Sequence, residues 1–342
     1  MQYVVIIYLW AAILLYLLLG GADFGAGIIE LFTSKKNERA TRRTLYKAIG
    51  PIWEANHMWL IITIVILFVG FPKIYSTMSV HLHIPLLIML LGIIARGTAF
   101  TFRHYDAVKD DLQLLYNRIF TLSSLVTPLF LGIIAGSAVA GRIDTDATGF
   151  YAAYIEGWLS LFSFSVGCFT VAICGFLASV YLIGEVNDDL FKAHFIKKAK
   201  HFSIAAICCG LFVFIAAKID DLPLAAWIFG NWVGILALTA AFISLIWLWV
   251  LLSKKKTTLT RPLAGFQVVM ILIAITWRHY PNIVLLKNGE HLSLTEDIGQ
   301  QKTIDALGWA LITGSIFILP ALFYLVYSFQ KKNADPVSSH TK

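Results

Sequence analysis

Apolar runs of bilayer-spanning length recur from one end of this 342-residue chain to the other. A helix crosses the hydrocarbon core with about 20 largely apolar residues. Nine such runs are present, near residues 3–32, 49–70, 79–103, 112–140, 157–184, 200–217, 224–252, 262–280 and 304–330. In lipid every backbone N–H and C=O must be satisfied within the protein, which turns runs of this length into helices. The expected fold is therefore all-α: one polytopic membrane domain over 1–342 with nine transmembrane helices. Composition agrees, since only 14% of residues are charged against about a quarter in soluble domains. This excludes a soluble globular enzyme and a disordered chain. A net charge of +7 would elsewhere point to nucleic acid. Here the basic residues sit in short loops between apolar runs, so no nucleic-acid partner is expected.

The same loops orient the chain. Lys73, Arg142, Lys218, Arg278, Lys287 and Lys302 fall on one side and Arg96 lies within a run, while the other 20 Lys and Arg fall on the opposite side. Lys and Arg mark the cytoplasmic loops, so the N-terminus is expected outside and the C-terminus in the cytoplasm. An odd number of spans satisfies that requirement. The N-terminal run carries no Lys or Arg before it and a dense basic segment after it, the reverse of a signal peptide's order. Cys168, Cys174, Cys208 and Cys209 all fall inside apolar runs and form no CxxC pair, which suits buried thiols rather than a disulfide framework. Gly21 with Gly25, and Gly132 with Gly136 and Ala140, are spaced to let helices approach closely. The connection from about Arg278 to Asp305 is long enough for a small structure outside the membrane.

Ionisable side chains inside a span cost about 2.5–3.5 kcal/mol each on insertion scales and are functional candidates by default. They are Asp23 and Glu30 in the first run, Glu54 and His57 in the second, and Arg96 in the third. At 1.5 Å per residue, Asp23 lies about 13 Å, Glu54 about 7–10 Å and Arg96 about 10 Å from the cytoplasmic ends of their helices, with His57 one turn deeper than Glu54. All occupy the cytoplasmic half. Asp23 and Glu30, seven apart, share a face, and so do Glu54 and His57, three apart. Such a file of titratable groups is what a proton-uptake path needs. It equally suits a packing role in which Arg96 neutralises Asp23 or Glu54. The two roles are compatible, because two carboxylates beside one guanidinium leave one acid free to titrate.

Other chemistries lack their parts. Glu54-x-x-His57 matches one ExxH element of a di-iron bundle, but a second ExxH and two further Glu are missing. There is no HExxH and no P-loop. His57 is the one histidine well inside a span, whereas a bis-histidine haem needs two at matched depth. His81, His83 and His279 lie near outer ends, and His104, His194 and His201 near inner ends. No metal, and no cofactor held by this chain alone, is expected.

Four stretches resemble subunit II of the cytochrome bd-type quinol oxidases. Gly21-Ala22-Asp23-Phe24-Gly25-Ala26-Gly27 is similar to the family's GxDxGxG segment. The stretch from Gly50 and Pro51 through Trp53, Glu54, Asn56 and His57 to Trp59 and Leu60 follows its GPxWxxNxxWL pattern, and Arg96-Gly97-Thr98-Ala99-Phe100-Thr101-Phe102-Arg103 its RGxAFxFR. Ser293-Leu294-Thr295, in the last outer loop, is the weakest of the four. Span number and orientation fit too, so the resemblance covers essentially the whole chain.

The resemblance implies a complex in the bacterial cell membrane. A subunit I of similar helical layout carries the b haems, haem d, the quinol site and the oxygen-reducing centre. Subunit II is its required mate and brings protons from the cytoplasm. The acidic positions of that route match Asp23 and Glu54 here, with His57 and Glu30 beside them and Arg96 as charge partner. Trp53, Asn56, Trp59 and Gly25 are expected to pack. Some family members carry a further Asp where this chain has Gly20, and some have Asp in place of Glu54. A quinone or lipid on this chain, and a small single-span companion subunit, are left open. The competing class is a proton- or ion-coupled secondary transporter, against which stands the lack of an inverted repeat and of paired broken helices.

Overall fold

The computed structural model describes residues 1–50, 53–105, 110–186, 188–255 and 259–334. Pro51 and Ile52 of the second motif, and the loop cations Lys109, Lys256 and Lys342, lie outside the described residues. Among the described residues eight helices have the length and apolarity to cross a membrane. A shorter apolar helix of 17 residues occupies the eighth run of the sequence.

The first span is built from α1 (Gln2–Leu15), a π-helical turn (Tyr16–Gly20) and α2 (Gly21–Leu31). A charged helix α3 (Lys35–Ile49) leads into α4 (Trp53–Gly70). The third apolar run divides into α5 (Pro72–His81) and α6 (His83–Tyr105), broken at Leu82. Pro72 suits the first turn of α5, where its missing N–H needs no partner. Then come α7 (Asp110–Val139), the short α8 (Phe150–Tyr154) and α9 (Leu161–Ile183). The helix α10 (Asp189–Ile219) starts well before the apolar run at 200. Its first turns carry Lys192, Lys197 and Lys198, which lower hydropathy without opposing helix, since Lys is a good helix former. The chain closes with α11 (Leu224–Phe229), α12 (Trp232–Ser253), α13 (Thr260–Thr276) and α14 (Gln301–Ala334).

The long connection before α14 holds a two-stranded antiparallel hairpin, β1 (Asn282–Val284) with β2 (Leu292–Ser293). Its Val284, Leu292 and Leu294 are buried in an apolar cluster with Val5, Leu9, Ile74 and Ile304, so the loop caps that end of the bundle. Gln2 Nε2 donates to the carbonyls of Leu294 and Thr295, and Lys73 pairs with Asp297, at the same end. Arg261 pairs with Glu185, and Lys200 donates to Ser253, at the other. The helices therefore alternate in direction, and the end rich in Lys and Arg is the cytoplasmic one.

One helix runs through the middle. Every residue of α2 from Gly21 to Glu30 is buried, between α7 and α9. The small residues make this possible. A Cβ at Gly25 would stand 1.9 Å from the carbonyl oxygen of Cys174 on α9, and one at Gly27 would stand 2.2 Å from Ser124 Oγ on α7. The stripe on α7 works alike, with Gly132 and Gly136 against Gly167 and Ser163 of α9.

Candidate functional site

Because α2 is enclosed, its two acids cannot reach water and must find partners inside. Asp23, 1% exposed, meets Arg96 of α6, also 1% exposed. Arg96 Nη1 donates to Asp23 Oδ2 at 2.7 Å and Nη2 donates to Oδ1 at 2.8 Å, a two-pronged pairing. Nη2 also donates to the backbone carbonyl of Asp23 at 2.9 Å, and Nε donates to Ser124 Oγ at 2.9 Å. Phe24 and Phe120 lie 5.2 and 5.0 Å from the guanidinium carbon, within cation–π range.

Two turns nearer the cytoplasm Glu30 is held by two arginines. Arg103 Nη1 donates to both its oxygens, at 3.1 and 3.0 Å, and Arg42 of α3 donates from Nε at 2.9 Å. Arg42 reaches Glu38 as well, at 2.6 Å. Arg103 lies 4.2 Å from the Phe120 ring centroid. Charge counting in loops assigns Arg42 and Arg103 to solvent and misses both. The available signal was spacing: Arg96 and Arg103 are seven apart, as Asp23 and Glu30 are, on two helices running the same way.

His57 joins the upper rung. Its Nε2 lies 3.5 Å from Asp23 Oδ2, long for a hydrogen bond but close for an ion pair if the ring is protonated. Its ring packs among Tyr16, Phe24 and Trp53, with centroids 6.2, 5.6 and 6.4 Å away. Its Nδ1 and the Tyr16 hydroxyl are buried without a hydrogen-bond partner among the described residues. Glu54 does not join. It is exposed in the first turn of α4 and makes no hydrogen bond or ion pair with a described residue. A three-residue step leaves the two side chains about 60° apart around the helix, and α4 is turned so that His57 lies against Asp23 and Glu54 is exposed. Arg96 thus neutralises Asp23, not Glu54.

Trp53 packs at a tilt against Phe100, centroids 5.3 Å apart, and lies over Gly97, where a Cβ would stand 3.4 Å from its ring. Asn56 is buried and Trp59 half-buried. At Gly20 a Cβ would come within 2.8 Å of the Tyr16 ring. The space an acid would take at that position is filled by tyrosine.

Three of the described histidines are engaged by this chain's own groups. His57 packs among three rings, with Nε2 toward Asp23 and Nδ1 buried. His81 and His83 turn Nδ1 to the carbonyls of Ala153 and Val80, at 3.0 and 2.8 Å. Among the described residues no group of three or more His, Cys, Asp or Glu could hold a metal ion.

A match to the family described as cytochrome bd terminal oxidase subunit II covers residues 1–329. The chain belongs to that family. It is 24% identical over 333 residues to cytochrome bd ubiquinol oxidase subunit 2 of Bacillus subtilis, covering 93% of this chain and 92% of that one. It is 23% identical over 198 residues to the cytochrome bd-I ubiquinol oxidase subunit 2 of Escherichia coli, covering 54% and 52%. The fold matches a chain of the bd oxidase from Geobacillus thermodenitrificans with a TM-score of 0.77 at 19% identity, covering 96% of this chain and 98% of that chain. As a bd oxidase subunit II, this chain is one part of a membrane-bound oxidoreductase complex, and catalysis resides with the complex. Family membership decides against the secondary-transporter reading.

Proposed function

We propose that this bd oxidase subunit II scaffolds a haem-bearing subunit I in the bacterial cytoplasmic membrane and supplies the cytoplasmic proton-uptake path for reduction of oxygen to water. The haems of the partner supply oxygen binding and electron delivery; every role below belongs to this chain.

The observation that carries the reading is the outward aim of Glu54. At 100° per residue, Glu54, Ile61, Val65 and Phe68 fall within about 40° of one line along α4. Ile61, Val65 and Phe68 are exposed. A carboxylate on such a face is costly against lipid. It is accommodated where another subunit and water cover it. Glu54 is then the proton carrier at the subunit boundary, and His57 is the titratable group between it and the buried cluster. Asp23 and Glu30 are each gripped by arginine, and Asp23 holds the His57 ring from the inner side. Arg96 and Arg103 keep those acids in place.

The test is Glu54→Gln in the assembled complex, with Glu54→Asp beside it. Oxygen reduction falls at least tenfold in Glu54→Gln while haem content and subunit ratio stay normal, and Glu54→Asp retains most activity. General acid–base groups contribute about 10²–10⁴-fold, so unchanged turnover in Glu54→Gln removes Glu54 from the path.

A further inference from the structure

Between α10 and α12 a groove of about 550 Å³ opens at the cytoplasmic end of the bundle. Ile207, Leu245, Ile246, Val250 and Trp249 form its walls, and Ser253 and Lys254 its mouth. Ile207, Ile246 and Val250 are exposed. The groove is long, apolar and open sideways. It lies across α9 from α2, away from the α4 face that carries Glu54.

The mouth is built for negative charge. Lys200 Nζ donates to Ser253 Oγ at 3.0 Å and lies 5.9 Å from the Trp249 ring centroid. Trp249 is fixed by its Nε1, which donates to Ser203 Oγ at 3.0 Å. Neither Lys200 nor Lys254 pairs with a described carboxylate. Lys200 is therefore steered toward the mouth by a hydroxyl and a ring, and both ammonium groups keep unspent charge.

We propose that this groove is a binding site for an anionic phospholipid of the inner leaflet. One acyl chain lies along Ile207, Ile246 and Val250, and the phosphate sits between Lys200 and Lys254. Apolar walls alone would accept any lipid, and the two lysines choose the headgroup. A basic side chain near a membrane surface is worth five- to sixfold in affinity for an anionic lipid, so the pair selects by roughly thirtyfold.

The test uses the intact complex purified from membranes and exchanged into nanodiscs of phosphatidylcholine with a minor fraction of phosphatidylglycerol. Lipid retained by the complex is read by native mass spectrometry. The wild type retains phosphatidylglycerol preferentially. Lys200→Gln with Lys254→Gln lowers that preference about thirtyfold, and Lys200→Arg with Lys254→Arg restores it. Val250→Phe, which fills the groove and leaves the charges, also lowers retention. Wild-type preference in the double glutamine variant, or unchanged retention in Val250→Phe, overturns the proposal.

Discussion

Arg103 meets Glu30 at a separation of 73 residues, the same separation at which Arg96 meets Asp23. Equal separations mean that α2 and α6 run parallel in one register, bridged by two rungs of opposite charge about two turns apart. Such a ladder fixes the register of the first and third spans, because a shift by one turn would take Arg96 and Arg103 off their acids and leave Glu30 with Arg42 alone.

The upper rung makes the sharper prediction. Arg96→Met leaves Asp23 enclosed without its partner, and breaking one side of a buried pair costs about 3–5 kcal/mol. Replacing both partners with apolar residues of similar volume is often neutral. Thermal unfolding of the detergent-purified complex should show a large loss for Arg96→Met and recovery for Arg96→Met with Asp23→Leu. A double variant as unstable as the single one shows that the pair does more than neutralise itself.

A second prediction concerns close helix approach. Gly25→Ala pushes a methyl into the backbone of α9 at Cys174, which no side-chain rotation relieves. Overpacking of this kind typically costs about 1–3 kcal/mol, occasionally more. Gly265 of α13 is the control: a Cβ there meets only Leu18 Cδ2, at 4.0 Å. Gly265→Ala should be neutral or stabilise by up to about 1 kcal/mol. Yield of assembled complex and its melting temperature report both.

Much of this was legible in the residues themselves. The nine runs, the loop charges and the small-residue stripes predict the architecture, because length and hydropathy act locally in a membrane. The break at Leu82 does carry a signal: Pro85 has no N–H to return to the His81 carbonyl and suits the first turn of α6. The π-helical turn at Tyr16 has no such signal. At the site, Asp23 and Arg96 are readable as buried charges. Arg103 is not, because it stands at the end of its run where a loop cation looks identical. Glu54 and His57, three residues apart, share a broad face, and only the position of α4 against the first span decides which one turns inward.

The Tyr16 hydroxyl yields a third prediction. The residue is 4% exposed, too enclosed for another subunit to reach, and its oxygen has no partner among the described residues. A buried polar group left unsatisfied costs about 1–3 kcal/mol. Tyr16→Phe keeps the ring against Gly20 and Phe24 and removes that cost. The melting temperature should rise. A fall instead shows that the hydroxyl is bound, with an internal water between it and His57 Nδ1 the first candidate to seek by difference infrared spectroscopy.

The outer cap should respond to acid. His279, in the loop after α13, stands 4.4 Å from the Trp227 ring and near Arg278 and His291. Burial first, then these two neighbours, push its pKa below the ordinary 6.5. Between the folded and unfolded values the unfolded chain binds the extra proton, so stability is full above about pH 6.5 and is lost as pH falls through the folded value. His279→Phe keeps the ring packing on Trp227 and removes the proton. Unfolding measured from pH 7.5 down to 5 should therefore be less acid-sensitive in His279→Phe than in the wild type, with little difference between them at pH 7.5. Parallel curves across that range place the acid sensitivity elsewhere, with His291 the next group to replace.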